Sequence, residues 1–245
     1  MAKYVSVKKP KAEKKKDPSK WITILVPALV FAAMAFYAFR EVNKEKPNDV
    51  LYAGAVVDAQ VVESSEIKPL VALFRESAYV RWDEAGEKVL LYTLTQTPEA
   101  FPEGETLTAE TDLWCVSVPE FDEKYDSEKE GTDLSLRTLQ YFGQPEDAQL
   151  THIAAVWVKA EDVVRPAYQP DPTKQMTLNL TDGSALGDLE EWFTQTKETI
   201  YTDENRPWTG LGYTFDWADN GSDYGLTEFL IRSGLEFTVE SVKEL

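Results

Sequence analysis

The longest apolar run in the chain is residues 21–39, WITILVPALVFAAMAFYAF, which has 19 residues and no charged side chain. At about 1.5 Å rise per residue, a helix of this length spans roughly 28 Å, close to the hydrocarbon thickness of a bilayer. Trp21 and Tyr37 stand near the two ends, where aromatic rings favour the interface. Pro27 lies in the second turn, where membrane helices tolerate proline. The pattern therefore predicts a transmembrane helix over residues 21–39.

The charges beside this run predict its orientation. Residues 1–20 hold eight lysines and carry a net charge of +6, so the positive-inside rule keeps them in the cytoplasm as a basic tail. Residues 40–48 then form a charged stalk, and residues 49–245 form an extracytoplasmic domain. A cleavable signal peptide is the alternative, with cleavage after Ala35, but the run is longer than the usual apolar region of about 7–15 residues. We expect a single-pass cell-membrane protein with an uncleaved anchor.

After the stalk, short runs rich in β-branched and aromatic residues predict strands. These runs are Val89–Leu94, Leu113–Val118, Ile153–Val158, Met176–Leu180, Gly212–Trp217, Leu226–Ile231 and Leu235–Val239. Val50–Val62 is predicted to be extended as well, and Ile67–Glu76 to be helical. Scattered strands with two or three helices predict an α+β fold with a largely antiparallel sheet.

Two segments have clear helical signals. The first begins at Thr132 or Asp133, either of which can cap its N-terminus, and it ends at Gly143. The second begins near Ser184 and places four apolar residues on one face, namely Leu186, Leu189, Phe193 and Ile200. The acidic segment Asp122–Asp133 is predicted to be a solvated connection.

Two turn signals divide the C-terminal stretch into three predicted antiparallel strands. Asn220-Gly221 tolerates the positive φ of tight hairpins, and Ser233-Gly234 marks a second turn. A first turn centred on Gly221 places Thr214 opposite Glu228. A two-residue turn at Ser233-Gly234 places Leu230 opposite Phe237.

In this register Glu228 has apolar neighbours on its face of the sheet, and Asp216 is its diagonal neighbour. A carboxylate in such a place needs a cation, a hydrogen-bond donor or a raised pKa. Arg165, Arg206 and Arg232 are the candidate partners. One interpretation is a buried salt bridge. The other makes Glu228 and Asp216 the catalytic or ligand-contacting pair of a surface enzyme that acts on a glycan or a nucleotide.

Aromatic residues cluster in the same stretch, in PWTGLGYTFDW, with Trp192 upstream. Exposed rings of Trp208, Tyr213 and Trp217 would stack on sugars or anchor a protein partner. The alternative is core packing, which we favour because the predicted register places Tyr213 and Trp217 on the core face.

The charge balance narrows the choice of partners. Residues 48–245 carry a net charge of −25 within a total of −18, so this domain repels nucleic acid and anionic lipid. We therefore expect no nucleic-acid partner. Solubility alone accounts for much of the charge.

Few residues suggest metal or redox chemistry. Cys115 is the only cysteine, which excludes an intramolecular disulfide, and its apolar run predicts a buried thiol. His152 is the only histidine, so multi-histidine metal sites are excluded. Asp219–Asp223, DNGSD, has the oxygen spacing of part of a calcium loop but not its terminal Glu. We predict no metal and no cofactor.

Two segments resemble a pattern in uncharacterised bacterial envelope or lipoprotein-like proteins. They are Trp157–Pro166 (WVKAEDVVRP) and Arg206–Phe237 (RPWTGLGYTFDW through YGLTEFLIRSGLEF). This resemblance implies a bacterial source and one outer domain, and it supplies no catalytic residue. Glu228–Val239 is also similar to the last motif of ADP-ribosyltransferases. That similarity implies that Glu228 orients the nicotinamide ribose hydroxyl, with Arg165 and a hydroxyl of Thr209 or Thr214 completing the site.

Together these features favour a non-enzymatic interaction module at the outer face of the cytoplasmic membrane. Its expected contacts are the lipid bilayer, through residues 21–39, and an envelope protein or cell-wall component. The surface enzyme that uses Asp216 and Glu228 is the alternative.

Overall fold

The computed structural model describes Met34 and residues 46–128, 132–180 and 189–245. Three predicted segments lie wholly or mostly outside these residues. They are the tail (1–20), the transmembrane helix (21–39, apart from Met34) and most of the stalk (40–48). Among the helices that are described, none combines the length and the apolar character needed to cross a bilayer. Pro47–Leu245 forms one compact unit.

The described residues of this unit contain four α-helices, rather than the two or three predicted. They are α1 (Asn48–Asp58), α2 (Val118–Glu128), α3 (Leu134–Tyr141) and α4 (Leu189–Thr199), the last followed by a π-helical turn, Ile200–Glu204. Short 3₁₀ turns lie at Ser64–Glu66, Pro98–Ala100 and Ala160–Asp162.

Eight strands among the described residues form one sheet. They are β1 (Lys88–Thr95), β2 (Thr106–Thr108), β3 (Leu113–Ser117), β4 (His152–Lys159), β5 (Val163–Val164), β6 (Tyr213–Phe215), β7 (Tyr224–Ile231) and β8 (Glu236–Glu244). The strand order is β2-β8-β4-β1-β3-β7-β5, with β6 also paired to β7, and every pairing is antiparallel. The predicted α+β class with an antiparallel sheet is confirmed.

The core lies on both faces of this sheet, because successive side chains of a strand point to opposite sides. In β1, Leu91 packs with Phe229 and Ile231 of β7 in one buried cluster. Its neighbour Leu90 belongs to a second cluster, in which Phe121 of α2 also packs. A strand such as β1 that is buried on both faces is apolar along almost its whole length.

The predicted start and end of α3 are confirmed. Asp133 Oδ1 accepts a hydrogen bond of 3.1 Å from the Leu136 amide, which satisfies one of the amides that a helix start leaves free. After the helix, Gly143 adopts φ 64°, the left-handed conformation that ends many helices at glycine.

Several other predictions were wrong. Val50–Val62 is not extended, since α1 occupies Asn48–Asp58 and packs a helical stripe against Phe215 and Trp217. Ile67–Glu76 is irregular rather than helical, and Met176–Leu180 forms no strand. The acidic segment predicted as a loop is helical as far as Glu128.

The predicted C-terminal hairpins were also wrong in part. β6 and β7 do pair, but Tyr213 lies opposite Thr227, and the Glu228 amide donates to Gly212 O at 3.0 Å. The register is thus two residues from the predicted one. β8 does not pair with β7 and instead lies between β2 and β4. Phe237 consequently packs in the cluster of Phe229, not opposite Leu230.

Candidate functional site

Asp216 is held in a buried salt bridge. Arg137 Nη1 and Nη2 donate to its two carboxylate oxygens at 2.8 and 2.7 Å. The Ala218 amide and Asn220 Nδ2 donate to the same carboxylate at 3.1 and 3.0 Å. Four donors occupy this carboxylate, so Asp216 is not free to bind a ligand.

Arg137 is fixed equally well. Its guanidinium stacks 3.7 Å from the centre of the Tyr141 ring, and its Nε donates to Glu128. These contacts raise the pKa of Arg137, even though its burial acts in the opposite direction. The pair links α3 to the loop after β6, which is a structural role.

Glu228 stands in the middle of β7 and is 4% exposed. Its Oε2 has no hydrogen-bond partner, and no arginine among the described residues is within ion-pair distance of it. Burial raises the pKa of Glu228 to about 7, while the charge of Arg206, the indole of Trp208 and the charge of Arg165 act to lower it. The Trp208 N–H approaches this carboxyl group without completing a hydrogen bond, since Trp208 Nε1 is unpartnered as well.

Glu228 lines a cavity of about 480 Å³. The charged residues Asp112, Glu204 and Arg206 also line it, and so do Thr93, Thr111 and Gln144. A second cavity of about 550 Å³ adjoins it, because Arg206, Glu204 and Gln144 line both. Asp216 is not part of either wall, so the structure does not bring the predicted pair of carboxylates together in one pocket.

Arg206 and Arg165, two of the candidate partners of Glu228 and also candidates to bind a ligand, differ in their surroundings. Arg206 lies in the cavity wall, 4.5 Å over the Trp114 ring, with its Nε 3.1 Å from Glu204 Oε2. Arg165 is fully buried, and its Nη2 donates to Val71 O and Pro172 O, both at 2.9 Å. Burial lowers the pKa of Arg165 to about 10. Arg165 therefore holds two loops together.

The three predicted aromatic contact residues are all in the core. Trp208, Tyr213 and Trp217 are between 1% and 3% exposed. Trp208 packs against Phe193, with ring centres 5.0 Å apart, and Trp217 contacts Tyr52 edge to face at 5.7 Å. None of them presents a face for stacking on a sugar, so the core-packing interpretation is correct.

Of the residues required by the similarity to ADP-ribosyltransferases, Thr214 lines the same cavity as Glu228, but Thr209 and Arg165 do not. Thr214 Oγ1 bonds to the carbonyl of Tyr141, and Thr209 Oγ1 accepts from the Leu211 amide at 3.1 Å. Arg165 donates to loop carbonyls through Nη2, as described above, and its Nε and Nη1 are buried without a hydrogen-bond partner. Glu228 also lies inside a strand that does not form a hairpin with the strand after it.

The remaining candidates have ordinary structural roles. Arg232 pairs with Asp112 at 3.1 Å, and His152 begins β4 with its Nδ1 2.8 Å from Thr151 Oγ1. Cys115 is buried as predicted, and burial raises the pKa of its thiol. Within the described ranges, no group of three or more His, Cys, Asp or Glu side chains is placed to hold a metal ion.

Sequence reasoning missed a larger groove of about 960 Å³ between the irregular segment 68–77 and α2. Its lining is mostly apolar, and it includes Phe74, which is 52% exposed, and Tyr79, which is 41% exposed. Polar residues of α2 and β7 complete it, namely Glu120, Glu123, Lys124 and Tyr224. We call this feature the 68–79 groove.

The polar wall of the 68–79 groove is a connected network. Glu120 accepts from Tyr224 OH and from the Thr227 amide, each at 2.7 Å. Burial raises the pKa of Glu120, whereas these donors lower it. Lys124 Nζ donates to Tyr224 O at 3.1 Å and to Gly225 O, and burial lowers its pKa. The network fixes one wall of the groove.

One sequence signal does point to this wall. Ser117-Val-Pro-Glu120 has the spacing of a capping box, with proline in the first turn. In the structure the Glu120 amide donates to Ser117 Oγ at 3.4 Å, as an N-cap requires. The Glu120 side chain turns instead to β7, where it contacts Tyr224 and Thr227. The signal predicts the helix start but not the groove.

Comparisons of the chain with protein-family models, with curated proteins and with solved structures each find no match.

Proposed function

We propose that Pro47–Leu245 is a binding module that residues 21–39 anchor at the outer face of the cytoplasmic membrane, where it holds a segment of another envelope protein. The 68–79 groove carries this proposal, because it is mostly apolar and has two large half-exposed aromatic side chains on its walls. Exposed apolar surface of this kind marks sites of protein contact more often than it serves the fold.

The polar wall supports a binding role for the groove. Glu120, Tyr224 and Thr227 satisfy one another, so the wall is already ordered before a partner arrives. An ordered site loses less conformational entropy on binding. Aromatic residues such as Tyr79 and Phe74 are frequent anchors in protein interfaces.

The charge of the module favours a basic apolar partner segment. Residues 48–245 carry −25, and three glutamates line the groove, Glu76, Glu120 and Glu123, against two lysines, Lys68 and Lys124. Such a field attracts cationic segments and increases their association rate.

The enzyme that uses two carboxylates has less support. Asp216 is occupied by four donors from Arg137, Ala218 and Asn220. A catalytic pair needs both carboxyl groups within reach of one substrate.

Site-specific photo-crosslinking in intact cells tests the proposal. A photoreactive residue at position 74 or 79 is expected to form a discrete adduct with an envelope protein. The matched control places the same residue at Val61, which is 70% exposed and is not part of the groove.

The adduct is also expected to decrease at least severalfold in a Tyr79→Ala chain with the photoreactive residue at position 74, since truncating an anchor commonly costs over 1 kcal/mol. No adduct at either groove position, or equal adducts from the groove and from position 61, would refute the proposal.

A further inference from the structure

The cavity at Glu228 is a second site, separate from the 68–79 groove, with which it has no lining residue in common. Its volume of about 480 Å³ lies within the range of about 300–1,000 Å³ that small-molecule sites occupy. Two oppositely charged side chains, Glu228 and Arg206, face it.

Glu228 brings an unsatisfied acceptor to this cavity. Its side chain is almost completely buried, and no donor bonds to Oε2. A buried polar atom without a partner costs free energy. A ligand that carries N–H donors would remove that cost.

Arg206 brings unsatisfied donors. Its guanidinium stacks on the Trp114 ring, and its Nε donates a hydrogen bond to Glu204. This Nε bond is the one hydrogen bond of the guanidinium to a residue in the described ranges, so Nη1 and Nη2 remain available. The two terminal nitrogens of an arginine form a fork that matches a carboxylate.

The two groups do not neutralise each other. They are close enough for Arg206 to influence Glu228 electrostatically, yet no nitrogen–oxygen distance between them is within 4.0 Å. A ligand with a positive and a negative group can bridge them. A simple cation would face Arg206, and a simple anion would face Glu228 together with Asp112 and Glu204.

We propose that this cavity binds a small zwitterion, a free α-amino acid, with its ammonium group on Glu228 and its carboxylate on the terminal nitrogens of Arg206. The cavity wall also has three polar, uncharged residues, Thr93, Thr111 and Gln144. The adjoining cavity, which shares Arg206 and Gln144, gives room for the amino-acid side chain.

Calorimetric titration of the full-length protein in detergent with a panel of free amino acids tests this proposal. At least one is expected to bind at millimolar concentration or below. Its N-acetyl derivative and its methyl ester each lose one charge, and both are expected to bind at least about 10-fold more weakly.

Variants locate the site. Glu228→Gln and Arg206→Met are each expected to weaken binding by about 10- to 100-fold, the effect of losing a hydrogen bond to a charged group. Arg75→Met is the matched control, because Arg75 also lies over an indole ring, that of Trp82, outside the cavity. It is expected to bind like the wild type.

Three results would overturn the proposal. They are the absence of binding by every amino acid in the panel, equal binding of the blocked derivatives, and unchanged binding by both cavity variants. The first would mean that water alone fills the cavity. Photo-crosslinking at position 74 is a separate measurement, so either proposal can fail without the other.

Discussion

Asp216 and Glu228 have similar chemistry, and their surroundings give them different roles. Asp216 is buried, but two nitrogens of Arg137 and two further donors bond to its oxygens. Glu228 is buried as well, and its neighbours are an unpaired indole and two arginines, neither of which is within ion-pair distance. Burial without partners favours the neutral acid, whereas burial with partners keeps the charge. Burial without partners therefore raises the pKa of Glu228 to about 7.

This difference predicts how stability depends on pH. The folded protein holds the Glu228 proton up to a pKa of about 7, whereas the ordinary value is 4.5. Between these values the folded state binds more protons, so Glu228 lowers stability as pH rises. The glutamine of Glu228→Gln cannot ionise, so the variant escapes this loss of stability. The difference between its free energy of unfolding and that of the wild type should therefore increase, in favour of the variant, from about pH 4.5 to 7. The expected increase in this difference is up to about 3 kcal/mol. Urea denaturation of both proteins at several pH values in this range measures it.

Asp216→Asn is the comparison variant, since it removes the buried carboxylate that binds both terminal nitrogens of Arg137 and leaves Glu128 as its one remaining carboxylate. It should lower the free energy of unfolding by up to about 3–5 kcal/mol. A difference between Glu228→Gln and wild type that is constant from pH 4 to 8 would contradict the prediction.

At the scale of elements, Gly225 decides how closely β6, β7 and α3 approach. A Cβ at Gly225 would lie 2.6 Å from the carbonyl oxygens of Thr214 and Tyr141, which are backbone atoms that cannot turn aside. Gly225→Ala is therefore expected to destabilise the protein by about 1–3 kcal/mol or more, measured as a lower urea midpoint.

Gly54 in α1 is the matched control for this substitution. A Cβ there meets nothing within 4 Å, and alanine favours a helix by about 1 kcal/mol over glycine. Gly54→Ala should leave stability unchanged or raise it. Equal effects of the two substitutions would show that the close contact at Gly225 does not limit the packing.

The sequence predicts elements well where the signal is local. The β-branched run Ile153–Val158 lies inside β4, and Asp133 caps α3, because both features depend on neighbouring residues. Val50–Val62 misled the prediction, since its valines favour strands. The spacing of Tyr52, Ala55, Val56 and Ala59, which all pack in one cluster, is that of a helix.

Strand partners and sites depend on contacts between distant residues, which no local pattern encodes. The turn after Ile231 is local, but β8 then pairs with β4 and β2 because Phe237 packs in the same cluster as Val156. The 68–79 groove likewise depends on Glu120 meeting Tyr224, 104 residues later. The sequence identified Glu228 as unusual and Arg206 as one of its candidate partners, while the cavity that both residues line became evident only in the fold.

At the scale of the whole molecule, charge and hydrophobicity are divided between two parts of the chain. Residues 1–20 carry +6 and precede the apolar run 21–39, while residues 48–245 carry −25. Pro47–Leu245 is compact by itself and contains its own core. This division favours a folded module that needs the N-terminal segment for its location and not for its stability.

Truncation of the chain, detergent partitioning and protease accessibility check this division. A chain that starts at Pro47 should remain in water without detergent and should unfold at the same urea concentration as the full chain, since the core clusters lie within it. The full chain should enter the detergent phase, because burying about 20 apolar residues in a bilayer is strongly favourable.

Protease added to intact cells should remove the acidic module and spare residues 1–20, as the positive-inside rule requires. Permeabilised cells are the control, in which both parts should be cut. Protection of the module in intact cells would place it on the cytoplasmic side, and the proposed envelope partner would then be excluded.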